Sequence, residues 1–398
     1  MRTLPSSFWL LSFSSFLFFC SFSMLTPLLP DFMKSFGAEG YLGLHITVFT
    51  LAALLSRPFS GKLTDQWGRI PVMIIGACIT AFFSFLYPFL PYITAFLILR
   101  FLHGFSTGFT PTGTSAYVTD VLPENMRGLG MGVLSFFGMS GMGMGNFIGG
   151  ELALHWSLST IFYTSSVLAV VSIGAMLGLK ETLEDRKTFH PTMLKISTRD
   201  LYEPTVWVPF VAMALVTFPF GVVLTLSPDF SELLHIPNKG LYFVYFTVTS
   251  LISRVGGGMI SDRYGRRIVS MASMLLVTVG MLVTGAATTA HVLLGGALLF
   301  GFGYGLGVPN IFAWTADLSD ESIRGRAFAT VFIALEIGIG AGALLAGQMF
   351  QGSLQSIALP FYSAGLLTLL GFFFLLVKKP QPNNHKNPNP HLDATVEE

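Results

Sequence analysis

The sequence predicts an all-α integral membrane protein with twelve transmembrane helices in two pseudo-symmetric six-helix bundles. Three observations predict it. The chain is 52% hydrophobic and only 11% charged, against about 25% charged in soluble domains. Its apolar runs recur at spanning length, about 20 residues each. The second half repeats the first: Ser56, Arg57, Gly61, Asp65, Gly68 and Arg69 return as Ser253, Arg254, Gly258, Asp262, Gly265 and Arg266, always 197 residues on. The register holds through Gly104 and Gly301, Asp120 and Asp317, Glu124 and Glu321, Arg127-Gly128 and Arg324-Gly325, Gly141 and Gly338, and Gly150 and Gly347. Pro30-Asp31-Phe32 matches Pro228-Asp229-Phe230 at an offset of 198. Internal symmetry of this kind in a hydrophobic chain is a mark of transporter folds.

The elements follow in order. Candidate spans cover 7–30, 40–60, 71–89, 93–118, 128–150 and 157–179, then 205–228, 240–260, 268–288, 291–316, 327–349 and 355–377. The first has one Arg before it, no clear small-residue cleavage site and a Pro27-Leu-Leu-Pro30 end, so it reads as a retained helix and not a signal peptide. The charged stretch 57–70 reads as a turn between two spans, and 254–267 as its copy. Gly and Pro within 93–118 and 291–316 predict tilt or kinking. The expected units are 1–179, a central loop at 180–203, 204–378, and a Pro/Asn-rich disordered tail at 379–398.

Lys and Arg orient the chain. With the N-terminus inside, inner segments hold 17 of the 22 and outer loops hold Lys34 and Lys239 alone. Arg57, Arg100 and Arg254 fall within or at the ends of spans. This split puts both termini in the cytoplasm of a multi-pass protein of the cell membrane. Cys20 and Cys78 sit in separate apolar runs, with neither a disulfide framework nor a metal-ligand spacing. A net charge of +1 gives no footprint for nucleic acid.

On these residues the chain resembles the major facilitator superfamily, and within it the twelve-helix drug:proton antiporter group, over nearly all of residues 5–378. Gly61-Lys-Leu-Thr-Asp65-Gln-Trp-Gly68-Arg69 resembles the signature between helices 2 and 3. The resemblance implies a latch that holds one state and breaks as the halves rock. Gly61 would let helices approach, Asp65 would face the positive end of another helix, and Arg69 would pair with Asp120. The copy supplies Gly258, Asp262, Gly265, Arg266 and Asp317. The plain alternative is a solvated loop.

Phe96-Leu-Ile-Leu-Arg100-Phe-Leu-His103-Gly104 resembles the helix 4 signature, with His103 where the family usually has Gln. An Arg in a span must face a cavity or a partner, and His103 titrates near neutrality. The competing reading is a structural Arg beside a packing His. Gly132, Gly141, Gly145, Asn146, Gly149 and Gly150 resemble the antiporter signature of helix 5, with Asn146 in place of its proline. Small residues at that spacing let helices pack backbone to backbone.

Glu336 is the one carboxylate placed deep in a span, and burial suits it to carry a proton. Asp31 and Asp229 read as interfacial. Tyr41, Tyr117, Trp207, Tyr304, Asn310 and Trp314 are candidates for a cavity lining. Gly104-Phe-Ser106-Thr-Gly108 matches a nucleophile elbow, and Gly138-Met-Ser140-Gly141 the Gly-x-Ser-Gly of intramembrane proteases. Neither has the required context, and the repeat copies lack the Ser, so no enzyme is expected. No phosphate loop is present, so a gradient must supply energy. The resulting expectation is a cofactor-free and metal-free monomer in the lipid bilayer that exports a small organic molecule against protons. Glu336, Arg100 and His103 would couple transport to protons. The alternative is a non-coupled facilitator or a proton-coupled importer of a sugar or metabolite.

Overall fold

In a bilayer every backbone N–H and C=O must bond within its own segment, so long apolar runs fold as helices. The computed structural model describes residues 4–90, 92–184, 186–195, 202–319 and 324–378. The disordered tail expected at 379–398 lies outside the described residues, as do 196–201 of the central loop. The helices are α1 (Ser6–Met24), α2 (Leu29–Lys34), α3 (Leu44–Gln66), α4 (Arg69–Leu86), α5 (Ile93–Val121), α6 (Glu124–His155) and α7 (Leu158–Leu177). The second half holds α8 (Trp207–Leu233), α9 (Leu241–Tyr264), α10 (Arg266–Gly285), α11 (Ala290–Asp317), α12 (Arg324–Met349) and α13 (Leu354–Val377). A single turn around Pro27 joins α1 to α2, and together they make one span of the twelve.

Ten of these spans are long and apolar enough to cross a membrane; α3 and α6 are not among them. Both meet the opposite half, as their partners α12 and α9 do, and the charged end of α3 and the many glycines of α6 lower their hydropathy. The charged stretches are not turns as the sequence suggested. Helix α3 runs on to Gln66 and α9 to Tyr264, leaving only Trp67-Gly68 and Gly265 as breaks. Gly68 (φ 142°) and Gly265 (φ 88°) take left-handed backbone, which explains the glycine in both copies.

Packing obeys the repeat. In the first half α1 lies on α6 and α7, α3 on α5, and α4 on α5 and α7; in the second, α8 lies on α12 and α13, α9 on α11, and α10 on α11 and α13. Across the seam α3 meets α12 and α6 meets α9. Glycines set these approaches. A Cβ at Gly141, Gly145 or Gly149 would stand well inside 3.0 Å of the carbonyls of Phe16, Cys20 and Met24 on α1. Gly338 and Gly342 of α12 face Ala214 and Phe218 of α8 in the same way. The central segment docks on the first half: Lys187 N–H donates to the Gln66 carbonyl at 2.9 Å, Arg186 Nε to Trp67 O at 3.0 Å, and Lys62 Nζ to Lys195 O at 2.6 Å.

Candidate functional site

The site is the seam between the halves, and among the described residues ion pairs across it gather at one end. At the end holding residues 31–43 and 229–240, Lys34 Nζ lies 2.7 Å from Asp229 and 3.1 Å from Glu232, and Lys239 Nζ lies 2.7 Å from Asp31 and 2.9 Å from Glu232. Asp229 is only 3% exposed, covered by Lys34 of the other half. Beside it Asn238 Nδ2 donates to Glu151 Oε1 at 2.7 Å. A cavity of about 550 Å³ opens next to this cluster, lined by Lys34, Asp229, Glu232 and Phe350 among others. Gly43 abuts Ala343 and Gly347, and Gly240 abuts Asn146, backbone against backbone.

Farther along the seam Thr47 Oγ1 donates to the Gly340 carbonyl at 3.0 Å, and Gly143 faces Thr247. Two arginines follow. Arg57 Nη2 donates to Glu336 Oε1 at 3.0 Å, with its Cζ 4.2 Å from the Phe332 ring centroid. Arg254 Nη1 donates to Ser135 Oγ at 2.7 Å. Beyond these two, among the described residues, no hydrogen bond or ion pair joins the halves toward the 61–69 end. Gly61, Gly132 and Gly258 there have nothing within 4 Å of an added Cβ. They do not pack helices together in this state, contrary to the expectation for Gly61 and Gly258 and for the first glycine of the helix 5 pattern.

The expected Arg–Asp triads form within each half. Arg69 reaches Asp65 and Asp120 at 3.0 Å each, and Arg266 reaches Asp262 at 2.6 Å and Asp317 at 2.8 Å. Asp65 is 73% exposed and meets Arg69, not the end of another helix. The expected cap comes from elsewhere. Glu181 accepts from the N–H groups of Arg69 and Ile70 at 3.0 Å each, an anion on the positive end of α4. Gly68 leaves room for it, since a Cβ there would meet Glu181 Oε2 at 2.6 Å. Thr182 adds a 2.6 Å bond to Asp120. In the second copy Asn310 bonds Arg266 O at 2.8 Å and Ser270 Oγ at 2.7 Å. That places it in the triad's support and not in a cavity lining.

Glu336, Arg100 and His103 do not form one group. Glu336 pairs with Arg57 across the seam. Arg100 and His103 lie inside the first half, where Arg100 sits 4.3 Å from the Phe49 ring centroid and 3.4 Å from Tyr87 Oη. His103 Nδ1 shares a 3.0 Å hydrogen bond with that same hydroxyl. The helix 5 pattern divides its work. Gly141, Gly145 and Gly149 seat α1, while Asn146 and Gly150 meet Gly240 and Asn238 of the other half. Of the cavity candidates, Tyr117 is buried and Trp207 lies under Lys378 Nζ at 4.7 Å, while Tyr304 is buried beside Phe220 and Phe246.

Sequence reading missed Arg57, the Lys34/Lys239 cluster and Glu181. A signal existed for the first: Arg57 and Arg254 are repeat mates inside spans, while Glu336 has Met139 as its mate.

The profile described as Major Facilitator Superfamily matches residues 11–258 and 210–396. The chain is 28% identical to "Multi-drug resistance efflux pump PmrA" of Streptococcus pneumoniae over 92% of this chain and 94% of that one. It is 24% identical to "Quinolone resistance protein NorA" of Staphylococcus aureus, over 95% and 98%. Among solved structures, a D-xylose-proton symporter superposes with a TM-score of 0.77 at 17% identity, covering 95% of this chain and 98% of that one.

Proposed function

The chain belongs to the major facilitator superfamily, and from that premise we propose that it exports small organic molecules by alternating access, driven by inward proton flow. It is a secondary transporter, not an enzyme. The relatives named as drug pumps support export, and one observation carries the mechanism: the Arg57–Glu336 pair stands where the closed part of the seam meets the open part. The charge split assigns the open end to the cytoplasm, so this state faces inward. Arg57 lies nine residues before the end of α3, which puts the pair about 14 Å above the open mouth.

Substrate enters from the open end and reaches the seam near that pair. Substrate bound there parts Glu336 from Arg57. The halves then rock, the Lys34–Asp229 and Lys239–Asp31 pairs part, and substrate leaves on the outer side; there the unpaired Glu336 takes up an outside proton, and on the return its pairing with Arg57 sends that proton into the cytoplasm. On the inner side the Arg69 and Arg266 triads come together as the ends close, with Asp65 and Asp262 free to change partners because both are exposed. Arg100 and His103 shape the first half's wall and pass no proton directly to Glu336. The protein works as a monomer, each half forming one bundle at 1–179 and 204–378.

The test is uptake into proteoliposomes of lipophilic cations, sugars and metabolites, with and without a pH gradient, for wild type and Glu336→Gln. Gradient-driven transport that Glu336→Gln abolishes, with substrate counterflow kept, supports the reading. Wild-type transport that ignores the gradient refutes proton coupling and leaves a facilitator.

A further inference from the structure

Charge inside the spans does not balance. Among the described residues, the helix interiors two turns or more from either end hold Arg57, Arg100 and Arg254 but a single carboxylate, Glu336. The other acids of the helices, such as Asp65, Glu151, Asp229 and Asp317, lie at the ends and already have partners. Arg100 is enclosed by Phe49 and Tyr87 within the first half. Arg57 and Arg254 remain at the seam, each reaching across to the other half.

These two are repeat mates, and their surroundings are mates too. Arg57 crosses to α12 and lies over Phe332; Arg254 crosses to α6 and bonds Ser135, the residue that corresponds to Phe332. The symmetry fails at one place. Arg57 has Glu336, and the residue of α6 that corresponds to Glu336 is Met139. Among the described residues Arg254 has one neutral partner, and its Nε is shielded from solvent without any. An unneutralised guanidinium at this depth is costly unless an anion meets it. Met139 and Met142 of α6 pack against the core of the other half and offer a soft apolar wall at the seam.

We propose that the transported substrate is an organic anion, a carboxylate on an apolar or aromatic body, whose carboxylate binds Arg254 between α9 and α6. Arg57 is the second guanidinium at the site, and the substrate carboxylate competes with that of Glu336 for it. The proposal rests on the transporter reading above and names the substrate class for it.

The test compares three probes with one ring system, 2-naphthoate, 2-naphthamide and 2-naphthylmethylammonium, by equilibrium binding to the purified protein in lipid nanodiscs. Naphthoate binds more tightly than the amide by about tenfold or more, the size expected of one charge-assisted hydrogen bond. Arg254→Gln removes that preference, Arg254→Lys keeps most of it, and Glu336→Gln tightens naphthoate while leaving the amide unchanged. The lysine and glutamine variants keep the test decisive if Arg254→Gln fails to fold. Equal affinities, a preference for the ammonium, no naphthoate binding, or a preference that survives Arg254→Gln each overturn the proposal. Binding needs no turnover, so anion binding without gradient-driven movement would refute the exporter reading while leaving this site in place.

Discussion

Gly145→Ala and Gly132→Ala add the same methyl group to the same helix, yet the structure gives them opposite outcomes. At Gly145 the new Cβ falls well inside 3.0 Å of the Cys20 carbonyl, and the obstacle is backbone that no rotamer change can move. At Gly132 nothing stands within 4 Å. Both changes gain helix propensity, up to about 1 kcal/mol, so that contribution cancels in the comparison. What remains is overpacking at α1, which costs about 1–3 kcal/mol. Reversible unfolding of the purified variants in a detergent and dodecyl sulfate titration reads the difference. Gly145→Ala unfolds earlier than Gly132→Ala by that amount, and Gly342→Ala, whose Cβ would meet the Phe218 carbonyl, behaves like Gly145→Ala. Equal stability of Gly132→Ala and Gly145→Ala would refute the account of backbone-to-backbone packing.

Three further outcomes follow from the geometry. Asp229→Asn strips the buried partner from Lys34 and opens the outer end, so a cysteine placed at buried Leu42 reacts faster with an impermeant maleimide; an unchanged rate would contradict a gating role. Glu181→Gln removes the charged acceptor at the start of α4 and costs about 0.3–1 kcal/mol, measured as an earlier unfolding midpoint that Glu184→Gln does not reproduce. Glu203 is buried, which pushes its carboxyl up, but its bonds from Arg326 and Thr205 outweigh this and hold it below the usual carboxylate value. Its contribution is therefore present at neutral pH and lost as pH falls through the depressed value. Glu203→Gln thus lowers the unfolding temperature at neutral pH, and the gap from wild type narrows on acidification.

The repeat made much of the fold legible. A register kept over about a hundred residues fixed which helices are equivalent, and the observed packing pairs map onto each other under that shift. The helix ends were less legible. Arg57, Lys62 and Asp65 lower the local hydropathy, so 57–66 read as a turn although its backbone bonds are those of α3. The site was only partly legible. The family resemblance implied Arg69 with Asp120, the repeat extended it to Arg266 with Asp317, and both pairs form. Arg57 with Glu336 is separated by 279 positions and joins two halves, a contact that no periodicity encodes. Arg100 and His103 were grouped with Glu336 because all three are polar in spans; sequence cannot say that Tyr87 and Phe49 enclose the first two on one side of the seam. Asp229 lies near a helix end, as the sequence suggested, but that Lys34 of the other half covers it was not legible.

The central claim is that the two ends of the seam exchange closure under control of the Arg57–Glu336 pair. Its most direct test is a pair of distance distributions by double electron–electron resonance, with Cys20 and Cys78 replaced by Ser. One label pair replaces Gly61 and Gly258 at the open end, and the other replaces Tyr92 and Leu354 at the closed end. The account predicts that Glu336→Gln shortens the first distance and lengthens the second relative to wild type. Two distances that stay fixed in Glu336→Gln, or that shorten together, would contradict it.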